Sequence, residues 1–242
     1  MTGPTPDPRR AAEIAANLAD VNARISAACL AAGRDPAELT LIAVTKTFPA
    51  SDIAILAGLG VTDIGENRDQ EAAPKHDECG GLGLRWHFVG QLQRRKSGSV
   101  AKYADVVHSV DRLELADALA RAADSAGRSL TALIQVSLDP SAAEHEGRGG
   151  ASPRAVAELA DRIAGVEPLR LGGVMGVAPL GGSSDDAFEQ LAQVSRQLRR
   201  THPAATIVSA GMTGDFESAI RHGATHLRIG SALLGPRSGV VG

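Results

Sequence analysis

Short apolar runs along the chain alternate with segments whose apolar residues recur at helical spacing. In residues 8–33, Ile14, Leu18, Val21 and Ile25 fall on one helical face, and a glycine ends the segment. Apolar positions three and four residues apart are typical of an amphipathic helix. We therefore expect the chain to open with one long helix that buries a single face.

After this helix, runs rich in β-forming residues and helical patterns follow each other in turn. The predicted strands cover residues 39–45, 61–65, 84–90, 105–110, 130–138, 169–177 and 205–211, and a last one opens the run 226–235. The predicted helices cover residues 51–59, 67–78, 94–103, 112–126, 152–163, 184–200 and 214–222. Ser152 and Pro153 are expected to be the N-cap and the first residue of their helix. Eight strands, each but the last followed by a helix, are the elements of a (β/α)8 barrel.

The predicted fold is therefore an α/β, TIM-type (β/α)8 barrel that forms a single domain over residues 1–242, with residues 1–7 expected to be disordered. No helical pattern follows the last strand, and the N-terminal helix is expected to replace that final outer helix. The alternative fold, a doubly wound open sheet, usually carries a G-x-G-x-x-G turn after its first strand. No such turn follows Val44, and no linker is long enough to divide the chain.

Composition and charge exclude several classes of protein. The net charge of -3 gives no electrostatic reason to expect nucleic acid or an anionic membrane as partner. The two cysteines, Cys29 and Cys79, are too few and too irregular for a disulfide framework or a metal site. The start has no signal-peptide core, and no run approaches the roughly 18 apolar residues of a membrane span. We expect a cytoplasmic protein without a bound metal.

Candidate chemistry lies at the carboxyl ends of the predicted strands, because the loops after barrel strands converge on one face. Lys46 stands where the apolar run LIAVT ends. An amine packed against apolar neighbours has a lowered pKa, and its neutral form can attack a carbonyl to form a Schiff base. On position alone, a solvated lysine at a strand end is the commoner interpretation.

Two later stretches are rich in glycine and hydroxyl residues. SAGMTGD, residues 209–215, follows the seventh predicted strand, and RIGSALLG, residues 228–235, contains the eighth. Barrels commonly bind phosphate in the loops after these strands, although each stretch alone is also ordinary turn chemistry. Together with Lys46 they describe a ligand with an aldehyde at one end and a phosphate at the other, which fits pyridoxal 5'-phosphate (PLP).

Seven stretches, in order along the chain, carry a resemblance to a known family. They are AVTKTFP (43–49), DIGENRDQE (63–71), WHFVGQLQRRK (86–96), HSVDR (108–112), GGVMGVA (172–178), SAGMTGDFESAI (209–220) and RIGSALLG (228–235). Through them the chain resembles, over nearly its whole length, the pyridoxal phosphate homeostasis protein family, whose barrel is similar to the N-terminal domain of alanine racemase. The resemblance implies a protein of intracellular PLP homeostasis that holds PLP as a Schiff base and releases it.

The same resemblance implies individual roles for the site residues. Lys46 forms the internal aldimine, a covalent link to PLP, and Arg228 directs its guanidinium at the pyridine nitrogen, which a permanent cation keeps unprotonated. Asn67 lies near the ring and the aldehyde end, although an asparagine before a helical pattern is also a standard N-cap. The phosphate is expected to be held by Ser209, Thr213, Gly230 and Ser231, and Gly211 and Met212 complete the cofactor-binding set.

Several positions depart from the family pattern or stay ambiguous. The family's usual Ser-Met-Gly-Met-Ser reads SAGMT at 209–213, which keeps the final hydroxyl. Arg95 replaces the usual asparagine before a lysine, so the role of that loop is open. For His87 a hydrogen-bonded core position is favoured over a site role. Arg148, in the loop EHEGRGG, is a candidate phosphate or nucleotide contact, with a solvated loop residue as the favoured alternative.

Two functions of different class remain open. In the favoured one, the chain is a monomeric carrier without catalytic residues that releases PLP, with PLP-dependent apoenzymes as candidate recipients. The alternative is a PLP-dependent amino-acid racemase, which needs a second base opposite the lysine, a tyrosine supplied by a second domain. The chain ends soon after the eighth strand, and its one tyrosine, Tyr103, precedes the fourth. A cofactor-free barrel aldolase using Lys46 ranks last, because such enzymes usually carry their lysine on a later strand.

Overall fold

The computed structural model describes residues 7–139 and 149–236. In this part of the chain eight parallel strands close into a barrel in chain order, which confirms the predicted (β/α)8 topology. The strands are β1 (Thr40–Val44), β2 (Asp63–Glu66), β3 (Arg85–Phe88), β4 (Val106–Val110), β5 (Leu130–Gln135), β6 (Leu169–Met175), β7 (Ile207–Ser209) and β8 (His226–Ile229).

The barrel closes because β1 pairs with both β2 and β8. Ile42 lies opposite Asp63 on one side and opposite Arg228 on the other. Since all strands run parallel, their carboxyl ends meet at one end of the barrel. This register places Arg228 beside the strand that ends just before Lys46.

Helices form the outer ring around the strands. They are α1 (Pro8–Ala31), α2 (Ala50–Gly58), α3 (Asp69–Glu78), α4 (Ser97–Tyr103), α5 (Leu113–Ser125), α6 (Val156–Ala164), α7 (Ser184–Thr201), α8 (Phe216–Arg221) and α9 (Ser231–Leu234). None of the helices in the described ranges combines the length and the apolar character needed to cross a membrane.

The N-terminal helix α1 occupies the place of the final outer helix, as predicted. It packs against α2, α8 and the short α9 that follows β8. Its buried face carries Ile14, Leu18, Val21 and Ile25, and each such burial contributes about 1.5–3 kcal/mol. Asp7, the first described residue, caps α1 by accepting a hydrogen bond from the Arg9 amide. Residues 1–6, the rest of the segment expected to be disordered, lie outside the described residues.

The start of α6 differs from the prediction. The helix begins at Val156 rather than directly after Ser152, and residues 153–155 form a turn. The preceding Ala151 still pairs with the sheet, donating its amide to the Gln135 carbonyl at 2.7 Å. Because the chain is extended at Ala151, it needs this turn before the helix can begin.

Side chains along each strand alternate between two environments. Outward-facing residues join the large apolar core between barrel and helices, as do Ile64, Val107 and Leu227. The barrel interior holds a separate small apolar cluster of Val106, Leu133 and Met175. The buried polar residues His87, His108, Ser209 and Arg228 share the parity of the inward-facing positions on their strands. The interior is therefore partly polar, and the site is built on it.

Candidate functional site

A cavity of about 360 Å³ opens at the carboxyl ends of the strands, a size suited to a small ligand. Its lining residues are Val44, Lys46, Phe48, Asn67, Val89, Gly90, Val177, Met212, Thr213, Gly214, Arg228, Gly230, Ser231 and Gly235. Of the predicted cofactor-binding residues, all but Ser209 and Gly211 line it. The structure thus brings together residues from both ends of the sequence.

The charge of this cavity is positive. Lys46 and Arg228 are the ionisable side chains among its described lining residues, and both are basic. A concave, partly apolar site with two cations and no carboxylate concentrates anionic ligands. The site therefore favours a ligand that carries negative charge, as a phosphate ester does.

The side chain of Lys46 enters the cavity because it points to the same side of the chain as the side chain of Val44, two residues earlier. Val44 and Lys46 both line the cavity, whereas the intervening Thr45 is buried on the other side. The Thr45 hydroxyl donates to Glu66 Oε1 at 2.7 Å, behind the strand. Phe48, two residues further on, also lines the cavity and provides an aromatic wall. Lys46 itself is half-buried.

Arg228 is the most deeply placed charge in the site. Its residue is only 5% exposed, although it lines the cavity. Its Nη1 donates to Ser209 Oγ at 2.6 Å and its Nη2 donates to the Gly176 carbonyl at 2.9 Å. Burial lowers the pKa of Arg228 to about 10, so the guanidinium is still a cation at neutral pH. Two directed hydrogen bonds fix its plane.

A row of hydrogen bonds leads from Arg228 across the barrel interior to Asp63 at the start of β2. Ser209 Oγ lies 2.9 Å from His108 Nδ1. His108 Nε2 lies 2.9 Å from His87 Nδ1, and His87 Nε2 lies 2.8 Å from Asp63 Oδ1. We call this row, Arg228–Ser209–His108–His87–Asp63, the Arg228–Asp63 relay.

The two ends of the relay determine the direction of its first and last hydrogen bonds. A guanidinium can only donate and an ionised carboxylate can only accept. Ser209 therefore accepts from Arg228, and two neutral imidazoles would direct the remaining bonds so that Ser209 donates to His108. His108 in turn donates to His87, and His87 donates to Asp63. Every bond in the relay is satisfied by one set of tautomers.

Burial sets the protonation state of these groups. Desolvation, followed by the charges of His87 and Arg228, lowers the pKa of His108 well below its ordinary 6.5. Burial opposes ionisation of Asp63, but hydrogen bonds from His87 and Thr62 outweigh it and lower the pKa of this carboxyl. His108 is therefore neutral between a cation and a distant anion, as the relay requires.

Ser209 and Gly211, both predicted to bind the cofactor, lie beside the cavity rather than on its wall. Ser209 is fully buried, and its hydroxyl lies between Arg228 and His108 because β7 directs it into the barrel. Gly211 has φ of 88°, and a Cβ there would lie 2.8 Å from Phe216 Cα. Its carbonyl accepts from the Arg228 amide at 2.9 Å. Both residues thus contact the site residues, not the cavity.

The loops after β7 and β8 meet at two hydroxyl groups. Ser231 Oγ donates to Thr213 Oγ1 at 3.2 Å, and the Ala232 amide lies 3.4 Å from the same oxygen. Gly230 lies against β1, since a Cβ there would be 3.1 Å from the Val44 carbonyl oxygen. This part of the cavity offers hydroxyl donors and glycine backbone, which is the chemistry of a phosphate site.

Asn67 lines the cavity and is not the N-cap of α3, a position that Arg68 occupies. Its Oδ1 is buried and has no hydrogen-bond partner among the described residues. Gly90 packs on the Asn67 backbone so closely that a Cβ would lie 2.0 Å from the Asn67 carbonyl oxygen. A buried amide of this kind indicates a missing ligand or water.

Two of the three positions that the sequence left ambiguous, His87 and Arg95, lie in the described part of the chain. His87 is 1% exposed and hydrogen-bonded in the relay, as expected of a core histidine. Arg95 is exposed, donates to Gln93 Oε1 at 3.0 Å and does not line the cavity. Arg148 lies outside the described residues. The sequence analysis missed the apolar walls Val89 and Val177, which follow strand ends but were not selected because they carry no reactive group.

Tyr103 lies away from the cavity, at the end of α4. It is buried against Trp86, with ring centroids 6.5 Å apart, and against His76 at 6.0 Å. Burial, followed by the charges of Asp69 and Glu66, raises the pKa of its phenol. Tyr103 is therefore not placed to act on a ligand beside Lys46.

Comparisons with known proteins identify the family to which the chain is similar. The family model described as the alanine racemase N-terminal domain matches residues 12–238. The chain is 42% identical over 245 residues to the pyridoxal phosphate homeostasis protein of Mycobacterium leprae, covering 94% of each chain.

Solved structures show the same barrel. PipY of Synechococcus elongatus with PLP bound is 32% identical, with a TM-score of 0.77 over 92% of this chain and 100% of that one. Alanine racemase from Corynebacterium glutamicum has a TM-score of 0.69 at 13% identity, over 96% of this chain and 62% of the racemase. At that identity the likeness to the racemase concerns the fold alone.

Proposed function

The chain belongs to the pyridoxal phosphate homeostasis protein family, and on this premise we propose that it binds PLP reversibly, as a Schiff base on Lys46, and releases it to other proteins. The observation that carries the proposal is the cavity itself. It unites an amine, a guanidinium and a pair of hydroxyl groups, from Lys46, Arg228 and the Thr213–Ser231 contact.

The described residues fit the chemical groups of PLP. Two cations in the cavity wall complement a phosphorylated anion. The buried Oδ1 of Asn67 has no described partner, and a hydroxyl on the ligand would satisfy it. Thr213 and Ser231 offer hydroxyl groups to phosphate oxygens, and Gly230 lines the same part of the cavity. Each part of the ligand thus has a candidate partner.

When bound, PLP supplies an electrophilic aldehyde carbon and a pyridine ring that can accept electron density. Lys46 would form the covalent link to the aldehyde carbon. Arg228 is held by Ser209 and Gly176 and keeps its proton at neutral pH, so it would donate a hydrogen bond to the ring nitrogen without protonating it. An unprotonated ring is a weak electron sink, which favours holding the cofactor over using it.

The carrier is favoured over the amino-acid racemase. Racemisation needs a second base opposite the lysine, and the described cavity wall offers only Arg228 as a further ionisable group. Tyr103 is buried away from the cavity. We therefore assign no catalytic residue. The name of the Mycobacterium leprae relative points to homeostasis rather than to an enzyme.

We propose in addition that the chain acts as a cytoplasmic monomer. PLP-dependent apoenzymes are the proposed recipients, because a reversible Schiff base releases an intact aldehyde that can form the same linkage with another lysine. Light scattering of the purified protein tests the monomer, and reactivation of a PLP-dependent apoenzyme by the loaded protein tests the transfer.

The central experiment uses borohydride reduction of PLP-loaded protein followed by peptide mass spectrometry. We expect one reduced PLP adduct, on Lys46, and loss of the visible absorbance in Lys46→Ala. Lys102→Ala, which removes an exposed lysine of α4, is the matched control and should bind as the wild type does. A wild-type protein that stays colourless after reconstitution contradicts the proposal, and sustained deuterium exchange at Cα of L-alanine would favour the racemase.

A further inference from the structure

Helix α3 contacts the backbone on both sides of Lys46. Glu71 and Lys75 are four residues apart on α3, so they share one helix face. Glu71 Oε2 accepts a hydrogen bond from the Thr47 amide at 2.9 Å. Lys75 Nζ donates to the Thr45 carbonyl at 2.9 Å. Thr45 and Thr47 are the two neighbours of Lys46 in the chain.

Thr47 has a backbone conformation that side chains rarely adopt. Its φ is 68°, and it is the one residue other than glycine with positive φ among the described residues. A β-branched residue is strongly disfavoured there, so neighbouring contacts must maintain the conformation. The Glu71 carboxylate provides such a contact, because it accepts the Thr47 amide directly.

The left-handed residue determines how the chain continues after Lys46. It reverses the backbone so that the Phe48 amide donates to the Thr45 carbonyl at 3.1 Å. Phe48 thereby returns to the cavity wall next to Lys46. The direction of the Lys46 side chain therefore depends on the conformation of this tight turn.

The Thr45 side of the turn is anchored by a buried network. Lys75 Nζ lies 2.7 Å from Glu66 Oε1, which also accepts the Thr45 hydroxyl at 2.7 Å. The side chains of Glu66 and Lys75 are 1% and 11% exposed. Both the carbonyl and the hydroxyl of Thr45 are thus bound within a region that excludes water.

We propose that Glu71 and Lys75 are positioning residues for Lys46: by holding the backbone on both sides of this lysine, they keep its amine aimed at the cavity and so determine its rate of reaction with an aldehyde. The inference rests on the proposed function of Lys46 as attachment site. In that reaction Nζ of the neutral amine forms the C=N bond, and its two hydrogens leave with the aldehyde oxygen as one water. Misplacing a reacting atom by about 1 Å can cost up to roughly 100-fold in rate.

Glu71 provides the cleaner test, because its removal leaves the buried Glu66–Lys75 pair intact. Apoprotein is treated with pyridoxal, which lacks the phosphate and so does not depend on the phosphate contacts, and the adduct is trapped with borohydride. Peptide mass spectrometry then gives the labelling rate of Lys46 separately from that of Lys102. We expect Glu71→Ala to slow labelling of Lys46 by at least about tenfold and to leave Lys102 unchanged.

Two further variants distinguish positioning from general damage. Glu71→Gln retains an oxygen that can accept the Thr47 amide, so it should label within about threefold of the wild type. Thr47→Gly in the Glu71→Ala background should restore labelling to a similar level, because glycine adopts φ near 68° without support. A crystal structure of the Glu71→Ala apoprotein should show Thr47 outside the left-handed region.

The outcomes separate this inference from the proposed function. Wild-type Lys46 that labels no faster than Lys102 overturns the proposed function, and the positioning role with it. If wild-type Lys46 labels selectively and Glu71→Ala labels equally fast, the positioning role alone is overturned. Slow labelling of Glu71→Ala that Thr47→Gly does not restore would also overturn it.

Discussion

Arg228 donates a 2.6 Å hydrogen bond to the hydroxyl of Ser209, and no carboxylate of the described residues forms an ion pair with this buried guanidinium. The guanidinium is hydrogen-bonded instead to this hydroxyl, and the row of hydrogen bonds continues through His108 and His87 to Asp63. The charge of Asp215 acts on this cation, but none of the described carboxylates is hydrogen-bonded to it, so its remaining N–H donors are available to a ligand. This arrangement gives the Ser209 hydroxyl two protein partners, Arg228 and His108.

Ser209→Ala should therefore act on stability, and Ser231→Ala on ligand binding. Removing the Ser209 hydroxyl leaves Nη1 of Arg228 and Nδ1 of His108 without their shared buried partner, at a cost of about 1–3 kcal/mol in the free energy of unfolding. Ser231 is exposed, so its loss should change stability by less than about 0.5 kcal/mol but weaken PLP binding roughly tenfold. Urea denaturation and PLP titration measure the two effects. Equal destabilisation by both variants would contradict the distinct roles.

Stability should decline in mild acid because of the buried histidines. Burial lowers the pKa of His226 to about 4 and that of His108 well below 6.5. The unfolded chain takes up these protons near pH 6.5, whereas the folded chain does not. The contribution of these histidines to the free energy of unfolding is therefore fully present above about pH 6.5. It falls toward pH 4, by up to about 1.4 kcal/mol per pH unit for each histidine.

Urea denaturation between pH 7.5 and 4.5 tests this dependence. His226→Asn should give a shallower slope than the wild type, whereas His76→Gln, at a more exposed position on α3, serves as control. Asp63 contributes only at lower pH, because its pKa is lowered. Burial raises the pKa of Glu66, so protonation of this carboxyl favours the folded state as the pH falls, opposite to the effect of the histidines. An unchanged slope in His226→Asn would refute the assignment.

Lys75→Met should destabilise the protein strongly. It removes the cation beside Glu66, whose carboxylate is buried at 2.7 Å from Lys75 Nζ, and breaking a buried pair costs about 3–5 kcal/mol. Changing Glu66→Gln as well should recover part of this loss, because no unpaired charge then remains. A double-mutant cycle in urea measures the coupling. Additive losses in the double variant would show that the pair does not act as a unit.

Gly90→Ala should disturb the position of Asn67. The added Cβ would lie 2.0 Å from the Asn67 carbonyl oxygen, so one backbone must move, at about 1–3 kcal/mol. PLP affinity should fall with it, since Asn67 lines the cavity. Gly98→Ala in α4 is the matched control: it meets nothing within 4 Å and should stabilise by up to about 1 kcal/mol. Comparable thermal midpoints and affinities for the two variants would contradict this expectation.

The glycines show which contacts a local sequence pattern can predict and which it cannot. Gly211 and Gly230 stand in two stretches that already resemble phosphate-binding loops; in the structure Gly211 has a positive φ and Gly230 directly precedes α9. Gly90 looks like any glycine after a strand, yet Asn67 lies against it. The close approach joins residues from two different loops, and no local pattern reports such a contact.

The amino-acid sequence by itself determined the order of elements, because each strand and helix has its own apolar period. It placed Lys46 at a strand end and brought residues 209–213 and 228–231 into consideration, since strand ends in a barrel share one face. Only the tertiary structure decided which hydroxyl meets Arg228 and which meets the cavity. Ser209 and Thr213 differ in that respect because barrel closure sets the direction of each side chain. Likewise, the support of Thr47 by Glu71 depends on how α3 docks against the β1–α2 turn, and that docking is a property of packing across the whole fold.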